Sequence, residues 1–146
     1  MRGLVAAVVT PMNEKGDLNL NLVPKVVDYL ATKGITGIYI AGSTGEGMSL
    51  TDEERREVAE AYVFAAKGRM KSFVQVGHNS LKASADLAGH AEAIGADAVS
   101  ATPTGYFKAS SEAELVEGLL PIAEAAPKTP FYYYHIPFLS GVHLAP

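Results

Sequence analysis

Leu4 to Val9 is an unbroken apolar run rich in valine, bounded by Gly3 before it and by the turn-forming stretch TPMNEKGD after it. A short run of this kind predicts a buried strand leading into a loop. From Asn19 to Lys33 the spacing changes: Leu22, Val23, Val26, Val27 and Leu30 recur three and four apart, and Gly34 follows. That pattern predicts an amphipathic helix with a glycine stop. Gly37 to Ala41 predicts a second strand, and Thr51 with Glu54 has the spacing of a capping box opening a helix that runs to Lys67, with Gly68 behind it. The alternation continues with a third strand over Ser72 to Gly77, a helix over Leu81 to Ile94 before Gly95, and a fourth strand over Asp97 to Pro103. A helix over Glu112 to Ala125 and a fifth strand over Pro130 to Pro137, PFYYYHIP, complete the pattern.

Strands alternating with helices of this length predict βα units on a parallel sheet. Two architectures have that pattern: an open doubly wound sheet, and a (β/α)8 barrel represented by about four units plus strand five. Loop chemistry separates them. The residues after the first strand do not form G-x-G-x-x-G, and no G-x-x-x-x-G-K-[ST] phosphate loop occurs anywhere. Polar residues instead cluster after strand upon strand, as TP, GSTGE, GHNS, TPTGY and YHIP. In a barrel those ends converge on the C-terminal face, where barrel active sites lie. The predicted fold class is therefore α/β, the N-terminal portion of a (β/α)8 TIM barrel.

Composition narrows the chemistry. With 146 residues, 48% hydrophobic and 19% charged, the chain has the content of one globular domain or part of one. Its apolar runs fall far short of the roughly 18 residues a membrane helix needs, so a soluble protein with no membrane partner is expected. Twelve Lys and Arg against sixteen Asp and Glu give a net charge of -4. The basic residues are scattered along helices, which argues against nucleic acid. The absence of cysteine excludes a disulfide framework, a thiolate metal site and a cysteine nucleophile together. His78, His90, His135 and His143 show no close ligand pairing, so no metal is expected, and His90 is expected to be solvated on its helix. The opening MRGLVAAVVTP has no convincing cleavage site and reads as a first strand, leaving the cytoplasm as the default location.

Two stretches carry candidate chemistry. In AGSTGEG, Gly42 and Gly45 permit a tight turn and close backbone approach, while the amides and hydroxyls of Ser43 and Thr44 can aim donors at one small anion such as a carboxylate. An ordinary strand-to-helix turn favours the same residue types. In FYYYHIP, alternation puts Tyr132 and Tyr134 on one face and Phe131 and Tyr133 on the other. On the barrel interior, Tyr134 would bring a tunable phenol to the rim beside the second-strand loop, where Thr44 could relay its proton; strand propensity alone also accounts for aromatics there. No lysine lies within a predicted strand; loop position could bring Lys15, Lys82 and Lys108 near the rim, but each is more simply read as a solvated loop or helix residue.

GSTGE after strand two and YHIP after strand five, in one βα chain, resemble the N-acetylneuraminate lyase and dihydrodipicolinate synthase family of class I aldolases. The resemblance runs from GLVAAVVTPM through IAGSTGEGMSLTDEERREV and HAEAIGADAVSATP to FYYYHIPFLSGV. His135 in the YHIP motif resembles the animal-type sialic acid lyase branch. The resemblance implies that Ser43 and Thr44 bind the carboxylate of pyruvate or another 2-oxo acid, and that Tyr134 moves protons during carbon–carbon cleavage. It implies no cofactor: a lysine amine forms a Schiff base with the substrate ketone and serves as the electron sink. Family members carry an aromatic residue beside the proline after strand four, where this chain has Thr104 and Gly105; Tyr106 is the candidate replacement in shifted register. Leu139 stands where the synthases carry an arginine for a second carboxylate, which favours a neutral sugar such as that of sialic acid over the synthase substrate.

The family's Schiff-base lysine lies on strand six, and a full barrel takes about 250 residues. Residues 1–146 are thus expected to be the N-terminal half of a single barrel domain, inactive without the lysine and part of a homo-oligomer, a tetramer in the family. Other 2-oxo acid aldolases remain an alternative reading. So does a half-barrel that binds or self-assembles through its open strand edges.

Overall fold

The computed structural model describes residues 3–144. Five strands form one parallel sheet in the sequential order β1 (Val5–Ala7), β2 (Gly37–Ile40), β3 (Lys71–Gln75), β4 (Ala98–Ala101) and β5 (Phe131–Tyr133). Between them run α1 (Val23–Thr32), α2 (Asp52–Ala66), α3 (Leu81–Ala93) and α4 (Glu112–Glu124). A sheet whose strands follow chain order without reversal wraps in one direction, as a barrel does, and has no switch point of the doubly wound kind. Among the described residues β1 and β5 are its edges.

The strands have two distinct faces. Ile38, Ile40, Val74, Val76 and Val99 point to the helices and pack with Val27, Val58, Tyr62, Leu87 and Ile122 in one apolar core. Each such side chain contributes roughly 1.5–3 kcal/mol by leaving water. The alternate positions, among them Tyr39, Gln75, Ser100, Tyr132 and Tyr134, occupy the concave side. Tyr132 and Tyr134 are about half exposed there.

Element ends differ from the predicted ones for local reasons. The first helix does not start at Asn19: Leu20–Leu22 is a 3-10 turn, and the α-ladder begins at Val23, where Pro24 occupies the first turn and its missing N–H costs nothing. The third strand begins one residue early, which puts Lys71 inside it, contrary to the prediction that no strand holds a lysine. The fifth strand ends at Tyr133, and residues read as its continuation enter a short helix, α5 (Pro137–Ser140). Tyr134 therefore lies one residue past the strand, although its N–H still donates to the Ala101 carbonyl at 2.9 Å. The α2 capping box forms as predicted, with Glu54 N donating to Thr51 Oγ1 at 3.2 Å and Thr51 N to Glu54 Oε2 at 2.8 Å. His90 is not simply solvated: its Nε2 is 2.9 Å from Glu60 Oε1 across the α2–α3 contact, and its side chain is largely covered.

Candidate active site

The C-terminal ends of β2 to β5 meet around a cavity of about 230 Å³. Tyr39 and Gln75 form its floor from the concave face, Gly42 and Ser43 one wall, and Tyr134 another. A larger cavity of about 440 Å³ lies outside the strand ends, against α4, where Lys108 and Glu114 mix with Leu119 and Ile122. It contains neither Ser43 nor Tyr134, and its opposed charges suit no simple anion; the smaller cavity is the chemically coherent one.

The β2–α2 loop is shaped by close approach. A Cβ on Gly47 would stand 1.9 Å from the Ala41 carbonyl oxygen, so any side chain there would displace the loop backbone. Ala41 itself holds φ 55, a left-handed conformation costing a non-glycine residue about 1–2 kcal/mol. The loop closes on itself through Gly47 N to Gly42 O at 3.1 Å and Glu46 N to Ser43 O at 3.1 Å. The buried Thr10 hydroxyl, from the loop after β1, fastens it by donating to the Gly45 carbonyl at 2.6 Å. These bonds leave the backbone N–H groups of Ser43 and Thr44 without acceptors among the described residues. Two free amides and a serine hydroxyl on a tightly held turn make a ready anion cradle. Thr44 is exposed and does not line the cavity, although its amide lies on the same turn as that of Ser43.

Tyr134 reaches the same cavity from the far side. Its ring lies 5.6 Å from that of Tyr39 at 48°, and the Tyr39 hydroxyl donates to Ser100 Oγ at 3.1 Å. Burial pushes the Tyr39 phenol above its ordinary pKa; the Ser100 bond opposes this and the neighbouring Tyr134 adds to it. Tyr39 thus stays a neutral hydrogen-bond donor to Ser100 at neutral pH. Tyr106 stands apart: it is 79% exposed, its ring meets Phe107 edge-on at 4.9 Å, and Gly105 lines the cavity in its place. The Asn79 side-chain oxygen holds that loop by accepting from Gly105 N and Tyr106 N at 3.2 and 3.3 Å.

The structure thus brings Ser43 and Tyr134 to one cavity, keeps Thr44 on the adjoining turn but out of the lining, and leaves Tyr106 outside. Sequence reasoning passed over Tyr39 and Gln75. The available signal was strand alternation, which places both on the concave face with Tyr134. No lysine lines the cavity among the described residues, and no group of three or more potential metal ligands occurs among them. Nor is any helix among them long and apolar enough to cross a membrane.

Sequential parallel strands carrying their polar loops at one end define the N-terminal portion of a (β/α)8 barrel. The chain matches the Dihydrodipicolinate synthetase family over residues 1–146 and belongs to it. It is 48% identical over 144 residues to N-acetylneuraminate lyase A of Xenopus laevis, covering 97% of this chain and 47% of that protein. The solved Proteus mirabilis N-acetylneuraminate lyase superposes with a TM-score of 0.95 at 36% identity, covering 99% of this chain and 48% of that one. A catalytic lysine mutant of the Ruminococcus gnavus sialic acid aldolase superposes with a TM-score of 0.90 at 34% identity, covering 96% and 46%. The chain spans about half the length of the relatives it matches.

Proposed function

We propose that this chain is the N-terminal half of one (β/α)8 domain, residues 1–146, in an N-acetylneuraminate lyase that cleaves N-acetylneuraminate to N-acetylmannosamine and pyruvate. The observation that carries the reading is the joint lining of one cavity by the Ser43 cradle and the Tyr134 phenol. Ser43 and the Thr44 amide hold the 2-oxo acid carboxylate. A lysine from outside this chain condenses with the ketone, losing water, to form an iminium. Tyr134 then relays the proton taken from the sugar hydroxyl as the carbon–carbon bond breaks to the enamine of pyruvate. That an aldolase of this shape is known as a catalytic lysine mutant supports the lysine's role. Tyr106 is the residue that would close the sugar side of the site if the β4–α4 loop moves inward.

The same reading makes the protein a cytoplasmic enzyme that needs no cofactor and assembles as a homotetramer, which light scattering of the intact enzyme tests. Leu139 lines the cavity, an apolar side chain facing the part of the substrate beyond the keto acid. That favours a neutral sugar product over a second carboxylate.

The test is to join this chain to the C-terminal portion of the Proteus mirabilis lyase and assay cleavage. Release of pyruvate from N-acetylneuraminate is expected. Condensation of pyruvate with aspartate semialdehyde instead would replace this reading with the synthase one. Borohydride treatment of the chain by itself with pyruvate is expected to leave its mass unchanged, and a reduced pyruvate adduct on one of its own lysines would contradict the division of labour.

A further inference from the structure

Arg55 occupies a position that ordinary helix chemistry does not explain. It falls on the apolar face of α2, in phase with Val58, Ala59 and Tyr62, and is 2% exposed. Its guanidinium is held by neutral oxygens only. Nη1 donates to the Gly77 carbonyl at 3.1 Å, and Nη2 donates to the Gln75 carbonyl at 2.9 Å and to Gln75 Oε1 at 2.8 Å. Among the described residues no carboxylate forms an ion pair with it, and its buried Nε has no hydrogen-bond partner. Burial lowers the pKa of the guanidinium, and Asp52 nearby opposes that shift. A buried cation without a counter-charge is costly, and an anion in an adjoining cavity offsets the cost.

Gln75 is the link between Arg55 and that cavity. It is 6% exposed, sits at the end of β3, and lines the cavity shared by Ser43 and Tyr134. A guanidinium has donors and no acceptor, so the amide atom facing it must be Oε1. The amide nitrogen is thereby turned the other way, toward Gly77 and Thr102: a Cβ built on Gly77 would meet Nε2 at 2.8 Å and Thr102 Oγ1 at 3.2 Å. No acceptor is paired with Nε2 among the described residues.

We propose that Arg55 is a positioning residue that locks the Gln75 side chain so that its Nε2–H donates to the carboxylate of the bound 2-oxo acid, while the buried guanidinium charge favours that anion. The proposal rests on the reading of the cavity as a keto-acid site. It adds a donor and a charge from the β3 side to the cradle on the β2–α2 loop. Tying α2 to β3 would account for the bonds to main-chain carbonyls, but it does not require a glutamine at 75 or an unneutralised charge beside the cavity.

The test is a nitrogen-15 NMR titration of the chain with pyruvate and with uncharged pyruvamide, for wild type, Gln75→Glu, Arg55→Lys and Ser43→Ala. Gln75→Glu gives the guanidinium a partner, so folding is not put at risk, while both the donor and the net charge are removed. Pyruvate affinity should fall by about tenfold or more, and the preference for pyruvate over pyruvamide should collapse. In wild type the Gln75 side-chain amide signals should shift on pyruvate binding. In Arg55→Lys they should merge toward those of a free amide, with the rest of the spectrum still dispersed. Gln75 signals that stay fixed while wild type saturates, or a Gln75→Glu chain that binds both ligands as wild type does, would overturn the proposal. Ser43→Ala separates it from the parent reading: unchanged pyruvate affinity there, with loss in Gln75→Glu, would sink the loop cradle and leave the Arg55–Gln75 donor standing. A wild-type chain that binds no pyruvate would overturn both.

Discussion

The two ends of the same strands are built on opposite rules. At the N-terminal end, Lys71 opens β3 and Asp97 precedes β4, and these residues are joined by a set of mutual bonds. Lys71 Nζ lies 2.5 Å from Asp97 Oδ1, while Ser72 N and Ser72 Oγ donate to Asp97 Oδ2 at 3.0 and 3.2 Å. In return Asp97 N donates to the Ser72 carbonyl at 3.1 Å. At the C-terminal end the backbone is held as firmly, by Thr10 and the loop's own bonds, yet the Ser43 and Thr44 amides have no acceptor among the described residues and Tyr134 is half exposed. One end uses its polar groups on the fold; the other leaves some of them unpaired among the described residues. That division is what a barrel with its chemistry at the strand C-termini requires.

The comparison can be broken or sharpened by substitution. The largest effect is expected for Tyr134→Phe in the joined full-length enzyme, where N-acetylneuraminate cleavage should fall by about 10²–10⁴-fold with pyruvate binding retained. A turnover within a few-fold of wild type would take proton transfer away from this residue. Gly47→Ala comes next. Its Cβ has no room beside the Ala41 carbonyl, so urea unfolding should show a loss of about 3 kcal/mol together with loss of pyruvate binding. A folded, binding-competent variant would show the loop to be less constrained than its geometry indicates.

At the opposite end, Asp97→Asn should cost about 1 kcal/mol at neutral pH and leave pyruvate affinity unchanged. The cost should also depend on pH. Partial burial raises the Asp97 pKa, but its bonds to Lys71 and Ser72 outweigh that and leave it depressed. Because the folded value lies below the unfolded one, its contribution is full above the unfolded pKa and is lost as pH falls through the folded pKa. The difference between wild type and Asp97→Asn should therefore shrink in acid; a difference that grows there would contradict the assignment. The smallest effect is expected for Ser43→Ala on stability, within about 0.5 kcal/mol, although the same change should weaken pyruvate binding.

How much of this was legible depended on which physical signal carried it. The βα order, the α2 capping box and the rim loops stand in the sequence because apolar spacing, caps and turn residues are local properties. The start of α1 was misread because apolar spacing continues through Leu20–Leu22, where proline chemistry at Pro24 moves the helix start to Val23. The end of β5 was overrun because FYYYHIP is rich in strand formers, while its last proline opens α5. His90 was read as solvated because its partner Glu60 is thirty residues away on another helix. Arg55 and Gln75 were missed for the same reason: a charge on an apolar helix face and an amide on a strand gain meaning only when folding places them together.

The central claim, that the strand C-termini and not the N-termini hold the ligand, is tested most directly by following the backbone amide signals of the chain as pyruvate is added. The account predicts shifts concentrated at Ser43 and Thr44, with Lys71, Ser72 and Asp97 unmoved. Shifts centred on Lys71 and Asp97, or a saturable change that leaves the Ser43 and Thr44 amides untouched, would contradict it.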